Sequence, residues 1–411
     1  MRSRLFLLSA AAACVASLLA SPADAAGSTA RVMRWSSTAE LSTGYASRLV
    51  VADGSMRVGA NPKTTTYVDP YGSKTRRTFE YGYWDSPWVD PGFDLTRLVP
   101  SWNVDAPSGT WIRVQIRAKK GSTTGSWDTV ANWGYGTAGV HRTSSSSQTD
   151  DLTSVDVDTV KARSGTLDAW QMRVLLLRPV GSTSTPVVHS LSGIASAYAT
   201  RTRSTSPTTM TATRVLGVPR YSQMTHRGEY PQWGGGGEAW CSPTSTSMVL
   251  RYFGSGPKSA DYAWSPYSAS WVDHAARYTF DHRYDGTGNW PFNTAYAGRY
   301  GLDAFVTRFY DLRDAEAFIK AGIPVVASIA FRKGELDGAP ISSTPGHLLV
   351  IVGFTSSGRV VVNDPAGKST TAVRREYSRG QFERAWLGGS GGIVYVMRPT
   401  SKALPPDTSR W

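Results

Sequence analysis

Cysteine is nearly absent from this chain, with two in 411 residues, Cys14 and Cys241. That scarcity excludes a disulfide framework and a cysteine-based zinc site. Long hydrophobic runs are scarce too: the one unbroken stretch of apolar and small residues, 5–20, is shorter than the roughly 20 residues that span a bilayer. No basic cluster exists either. The 44 Lys and Arg outnumber the 31 Asp and Glu, for a formal charge of +13, but they are scattered, which argues against a nucleic-acid partner. No internal repeat is present. Hydrophobic residues at 40% and aromatics at 11% supply core material throughout, so the chain is globular, with length for two domains.

The N-terminus has the form of an export signal. Arg2 and Arg4 precede the apolar run, and Ala23-Asp24-Ala25 supplies a small-residue exit, so residues 1–25 read as a signal peptide. Its removal takes Cys14 and lowers the formal charge from +13 to +12, two arginines and one aspartate being lost. The mature protein is expected to be secreted, without a transmembrane segment, and its positive charge would suit association with an anionic cell wall. Cys241 is then a lone thiol in an oxidising compartment, either a buried small hydrophobe or a nucleophile.

Residues 27–200 read as an all-β domain, a sandwich or jelly roll. Trp111-Ile-Arg-Val-Gln-Ile-Arg117 and Trp170-Gln-Met-Arg-Val174 alternate apolar with polar at period two, and Pro107-Ser-Gly109 and Gly121-Ser122 mark turns. Residues 201–213 are polar, carry Pro207 and form the best linker. From 214 to 398 helical patterns at 241–253 and 312–320 alternate with β-rich segments at 323–331 and 347–364, an α+β domain. Residues 399–411 read as a polar tail.

Cys241 follows a flexible run, Trp233-Gly-Gly-Gly-Gly-Glu-Ala-Trp240, and precedes Pro243, which suits a first helical turn, while Met248, Val249, Tyr252 and Phe253 fall on one face. A thiol at a helix N-terminus is lowered in pKa by the dipole and the unpaired amides. Six histidines could partner it: His141, His189, His226, His274, His282 and His347. Context favours His347, at the mouth of the apolar strand 347–354, which turns through Thr355-Ser-Ser-Gly358 into 359–364. A loop of two or four residues would put Asp364 opposite an odd-numbered position and on the face of His347, whereas a three-residue loop would place it on the other face. Cys, His and an orienting Asp make a thiol hydrolase triad.

These residues resemble the papain-like cysteine peptidases of family 39, relatives of the double-glycine leader peptidases. The likeness rests on Gln223 in Val218-Pro-Arg-Tyr-Ser-Gln223, on Trp240-Cys241-Ser-Pro243 through Leu250, on Gly346-His347 through Phe354, and on Asn363-Asp364-Pro365. It covers residues 215–397. It implies a papain-like fold with Cys241 as nucleophile, His347 as general base, Asp364 orienting the histidine and Gln223 as side-chain donor of the oxyanion hole, with Gln232 as the alternative donor. Ser242 stands where the family commonly has Gly, and the chain has neither the membrane spans nor the P-loop of the transporters to which leader peptidases are fused. Residues 312–320 and 322–331 resemble the family's scaffold, and Gly288-Asn-Trp-Pro291 is available to wall the cleft, although Trp290 also suits a core or rim position.

The N-terminal domain resembles accessory sandwich domains found ahead of such secreted peptidases. Trp84, Trp88, Trp102, Trp127 and Trp133 could offer a stacking platform to a glycan, with core packing as the default, and Asp150, Asp151, Asp156 and Asp158 could offer oxygens to calcium, with an acidic loop as the simpler reading. The expected function is amide hydrolysis of a peptide or protein substrate, with no cofactor and no metal. The alternatives are a catalytically silent cell-wall or glycan-binding protein, and a peptidoglycan amidase or acyl transferase using the same triad.

Overall fold

A computed structural model describes residues 29–148, 151–197, 204–406 and 409–411. The signal peptide at 1–25, Cys14, Asp150 and the first residues of the 201–213 segment lie outside these.

The N-terminal part is built almost wholly from strands, because its sequence alternates at period two. Trp111–Lys120 buries every second side chain along most of its length and pairs antiparallel with Ala169–Pro179 on one side and Asp128–Trp133 on the other. Fifteen strands join in one hydrogen-bonded sheet, and Thr143–Gln148 links its two halves by pairing with both Asp128–Trp133 and Thr153–Val157. The halves enclose a single core. At its centre Trp35 meets Trp84 and Trp170 edge-on, with ring centroids 5.2 and 5.9 Å apart.

This packing corrects the tryptophan platform. Trp84, Trp102 and Trp133 are buried in the core. Trp88 and Trp127 alone of the five reach the surface, half-buried, and cations cover them: Arg117 lies 5.1 and 4.4 Å from the two rings, and Lys119 lies 4.0 Å from Trp88. The described aspartates also go separate ways. Asp151 accepts from the backbone of Ser126 and Leu152, Asp156 pairs with Lys161, and Asp158 faces the second half of the chain.

The C-terminal part is α+β. Seven antiparallel strands form its sheet, with Val325–Phe331 and Thr344–Phe354 in the middle, and Asp303–Arg308 forms one edge. The helix Leu312–Lys320 begins where Asp311 accepts a hydrogen bond from the Arg313 amide at 2.8 Å. The helix Cys241–Tyr252 departs from the single apolar face expected of it, since every residue from Ser242 to Leu250 is buried. Small hydroxyl side chains permit that depth: Ser245 donates to the Leu348 carbonyl at 3.2 Å and Thr246 to Asn293 Oδ1 at 3.2 Å.

The two parts share an extensive interface. Asn103 donates to the Ala304 carbonyl at 2.7 Å and accepts from the Ala304 amide at 3.0 Å, and Ser101 Oγ accepts from the Val306 amide at 3.1 Å. These side chains thus complete the edge strand as a neighbouring backbone would. Arg142, fully buried, donates to the carbonyls of Gly134 and Tyr135 in its own half and of Arg277 and Phe280 in the other. Residues 204–213 run along the second half, where Arg379 donates to the Ser206 carbonyl at 2.7 Å and to Glu316 at 2.6 Å. At the C-terminus Trp411 packs edge-on against Phe309 and Phe318.

Candidate active site

Strand register decides where His347 and Asp364 point. Phe354 pairs with Val360 and Gly353 with Val361, and the Thr355 amide donates to the Arg359 carbonyl at 3.0 Å, so the turn has the parity of the three-residue loop and sets even positions against even ones. A bulge at Val352 then shifts the ladder by one residue, and Ile351 pairs with Val362 and Val350 with Asn363. Asp364 therefore follows on opposite Leu349, on the face of His347. The shared face is reached through the bulge, not through the loop length.

Four side chains form a chain of hydrogen bonds. His347 Nε2 lies 2.8 Å from Asp364 Oδ1, the Tyr377 hydroxyl donates to Asp364 Oδ2 at 2.8 Å, and the Ala366 amide donates to Oδ1 at 3.0 Å. With Nε2 so engaged, Nδ1 is the nitrogen left for the thiol of Cys241, which hydrogen-bonds to this imidazole. Both His347 and Asp364 are buried. Burial disfavours charge on every member, and pairing outweighs it. Asp364 sits below the ordinary carboxylate range because His347, Tyr377 and the Ala366 amide overcome its desolvation. Burial alone would lower His347, but Asp364 and Cys241 push it up to about 10. Burial alone would raise the Cys241 thiol, but His347 and the Leu348 backbone bring it below its usual value. Both shifts favour the thiolate and imidazolium form of the pair.

Gln223 is buried at the head of the short helical turn Gln223–His226. Its side-chain nitrogen donates to the Glu238 carbonyl at 2.5 Å, and its backbone amide donates to the carbonyl of Pro365, next to Asp364, at 2.9 Å. Gln223 thereby ties the segment entering Cys241 to the strand end that carries Asp364. Gln232 is exposed in the preceding loop. Ser242 turns inward, 2.9 Å from the Tyr395 hydroxyl, and so does not crowd the thiol.

Behind this segment lies a cluster absent from the sequence reading. His226 Nδ1 is 2.7 Å from Glu229 Oε2 and 3.0 Å from Asp273 Oδ1, and burial, which would lower the imidazole, is overcome by the two carboxylates, which raise it. The ligand atoms of these three residues lie within 4.8 Å of one another, a spread that would suit a metal ion. Both carboxylates nevertheless converge on one ring nitrogen, which fits a shared proton.

Comparison with known families accounts for most of the chain. Residues 215–392 match the model of the Peptidase_C39 like family, and residues 31–196 match that of the Peptidase C39 N-terminal domain. The chain belongs to the C39-like peptidase family. Membership points to cysteine peptidase chemistry. No curated protein gives a significant match. Among solved structures, a C39-like peptidase of Bacillus anthracis aligns at 16% identity over 45% of this chain and 96% of its own, with a TM-score of 0.29. The CBM22-1 and GH10 modules of a Clostridium thermocellum xylanase align at 12% identity over 39% of this chain and 30% of theirs, with a TM-score of 0.18. Neither likeness carries an argument about the chemistry here.

Cys241 opens into a cleft of about 620 Å³. Gly288 and Trp290 line it, while Asn289 caps the helix Trp290–Arg299 by accepting from the Phe292 amide at 3.1 Å. Two contributors escaped the sequence reading. Tyr377 carries no motif and is found only through the strand pairing of Arg374–Tyr377 with Val360–Asn363. The other is the N-terminal half itself, which supplies part of the cleft wall.

Proposed function

We propose that this C39-like peptidase is a secreted cysteine peptidase that hydrolyses peptide bonds through a thioester intermediate. The observation that carries the reading is the hydrogen-bonded chain from Cys241 through His347 to Asp364 and Tyr377. In this reading the thiolate of Cys241 attacks the scissile carbonyl carbon, and the oxyanion is held by the Cys241 backbone N–H and the second N–H of the Gln223 amide. Collapse of the intermediate breaks the C–N bond, and the leaving amine takes its proton from imidazolium His347. A water then gives a proton to His347, its oxygen attacks the thioester, and the acid departs as Cys241 and His347 return to their starting state. Asp364 holds the imidazole orientation and stabilises its charge, and Tyr377 holds Asp364.

The same reading takes the C-terminal part as papain-like, a cysteine helix set against an antiparallel sheet, and the N-terminal part as a sandwich. It divides the chain into a signal peptide at 1–25, a β domain at 27–200, a linker at 201–213, the peptidase domain at 214–398 and a tail at 399–411. No cofactor takes part.

The test is incubation of the mature protein with a proteome-derived peptide mixture, with new N-termini read by mass spectrometry. New termini are expected with the wild type and none with Cys241→Ala or His347→Ala. Equal yields from wild type and Cys241→Ala would overturn the reading.

A further inference from the structure

The wall of the cleft opposite the peptidase elements comes from the N-terminal half. Asp156, Val157, Asp158, Thr159 and Lys161, clustered over the tip of the hairpin formed by Thr153–Val157 and Thr159–Ala162, line the same cavity as Cys241. Asp156 pairs with Thr159, so Val157 and Asp158 are the two central residues of the turn.

Val157 has φ 57°, in the left-handed region, where a β-branched residue is a rare outlier and where this kind of turn ordinarily employs Gly. Core packing does not explain it, since Val157 is half-buried and joins none of the hydrophobic clusters. Strain of this kind persists where surrounding structure enforces it and collects at functional sites. The enforcing contact is Asp158. It accepts from the Trp290 amide of the other half at 3.0 Å and from the Thr159 hydroxyl at 3.0 Å, which pins the hairpin tip to the first turn of the helix Trp290–Arg299. Tyr284 lines the same cleft, a large side chain left 49% exposed. The charges lining the cavity cancel, with Arg97, Lys161 and Arg308 set against Asp156, Asp158 and Asp285.

We propose that Val157 is a specificity-determining residue, and that the substrate is an uncharged, extended polypeptide segment whose apolar side chain seats between Val157 and Tyr284. This inference rests on the reading of Cys241 as the nucleophile. It makes the N-terminal half part of the substrate site: a charged side chain entering between valine and tyrosine would lose its hydration with no net charge of opposite sign in the cleft to receive it.

The test compares peptidyl chloromethyl ketones that carry Leu, Lys or Asp beside the reactive group. In each, the Cys241 sulfur displaces chloride and forms a thioether. Rates for the wild type, Val157→Gly and Val157→Lys are each divided by that variant's own iodoacetamide rate, so changes in the thiol itself cancel. The wild type is expected to favour the Leu reagent. Val157→Gly should lose that preference by three- to tenfold, and Val157→Lys should turn it toward the Asp reagent. Val157→Gly should also melt no lower than the wild type, because the turn strain is relieved. Unchanged ratios in both variants, or a clear fall in melting temperature for Val157→Gly, would overturn the proposal. The ratios are read at pH 9, where even an ordinary thiol reacts. Failure of the peptidase reading shows separately, as slow iodoacetamide labelling of the wild type at pH 6.

Discussion

Alkylation of Cys241 across pH probes the central electrostatic claim most directly. An ordinary thiol with a pKa of about 8.5 is only about 0.3% ionised at pH 6. The hydrogen bond and charge of His347 hold the Cys241 thiol below its usual value, while His347 is pushed up to about 10. A thiol held below its usual value keeps more thiolate at pH 6 than the ordinary one, up to a ceiling of about 300-fold at full ionisation. Part of that gain is lost because a stabilised thiolate attacks more slowly, with a Brønsted slope of about 0.4–0.5, so the net advantage is smaller than the gain in thiolate. The shape is more diagnostic than the height. Wild-type labelling by iodoacetamide should set in at lower pH than that of an ordinary thiol. In His347→Ala, burial of the thiol is opposed by the Leu348 backbone without the imidazole, so its pKa rises and labelling should fall at pH 6 and recover only at higher pH. Asp364→Asn should lie between the two, since the imidazolium keeps the thiolate and loses its other support. Identical profiles for wild type and His347→Ala, both those of an ordinary thiol, would refute the reasoning.

Tyr377→Phe removes one of three donors to a buried carboxylate, so kcat is expected to fall roughly 10- to 100-fold with KM little changed, read by steady-state kinetics on a peptide substrate. Burial raises Asp158 from 3.8 to about 6, so its contribution to stability is largest in acid and is lost as pH rises through about 6. That loss is on the order of 3 kcal/mol, and melting curves of Asp158→Asn between pH 4 and pH 8 should lack it. Arg379→Ala leaves buried Glu316 with its Thr208 and Thr209 donors but without its cation, and frees the Ser206 carbonyl, at an expected cost of about 3 kcal/mol in denaturant unfolding, with new protease sensitivity near residues 204–210.

Legibility in the sequence followed the range of the forces involved. The alternation in Trp111–Lys120 and the helix start at Asp311 are local, and both could be read directly. Residues 241–253 misled, because helical periodicity cannot show that Ser242, Ser245 and Thr246 find buried partners on other elements. Pairing parity would put Asp364 on the face of His347 only with a two- or four-residue loop, whereas the observed turn has the other parity and the bulge at Val352 that restores the shared face has no sequence mark. Core packing, the default for the tryptophans, holds for Trp84, Trp102 and Trp133, but nothing in the sequence separates these from the half-buried Trp88 and Trp127. Least legible was whatever depends on how the halves meet, since Asp158 looks like one more acid in an acidic loop until the Trp290 amide is placed against it.

That interface bears on how the cleft holds its shape. An edge strand with open amides invites pairing by another chain, and here Asn103 and Ser101 occupy the Ala304 and Val306 positions of Asp303–Arg308. They are side chains and not a further strand, so the sheet ends at this edge instead of continuing into the N-terminal half. Asp158 reaches the same half of the molecule from a separate hairpin, and Arg142 from a third segment. Contacts at three such points fix orientation as well as distance, because no single rotation relaxes all of them together. A hairpin tip held in this way can keep a strained valine in the wall of the cleft that Cys241 also lines, where a flexibly tethered accessory domain would let the turn relax.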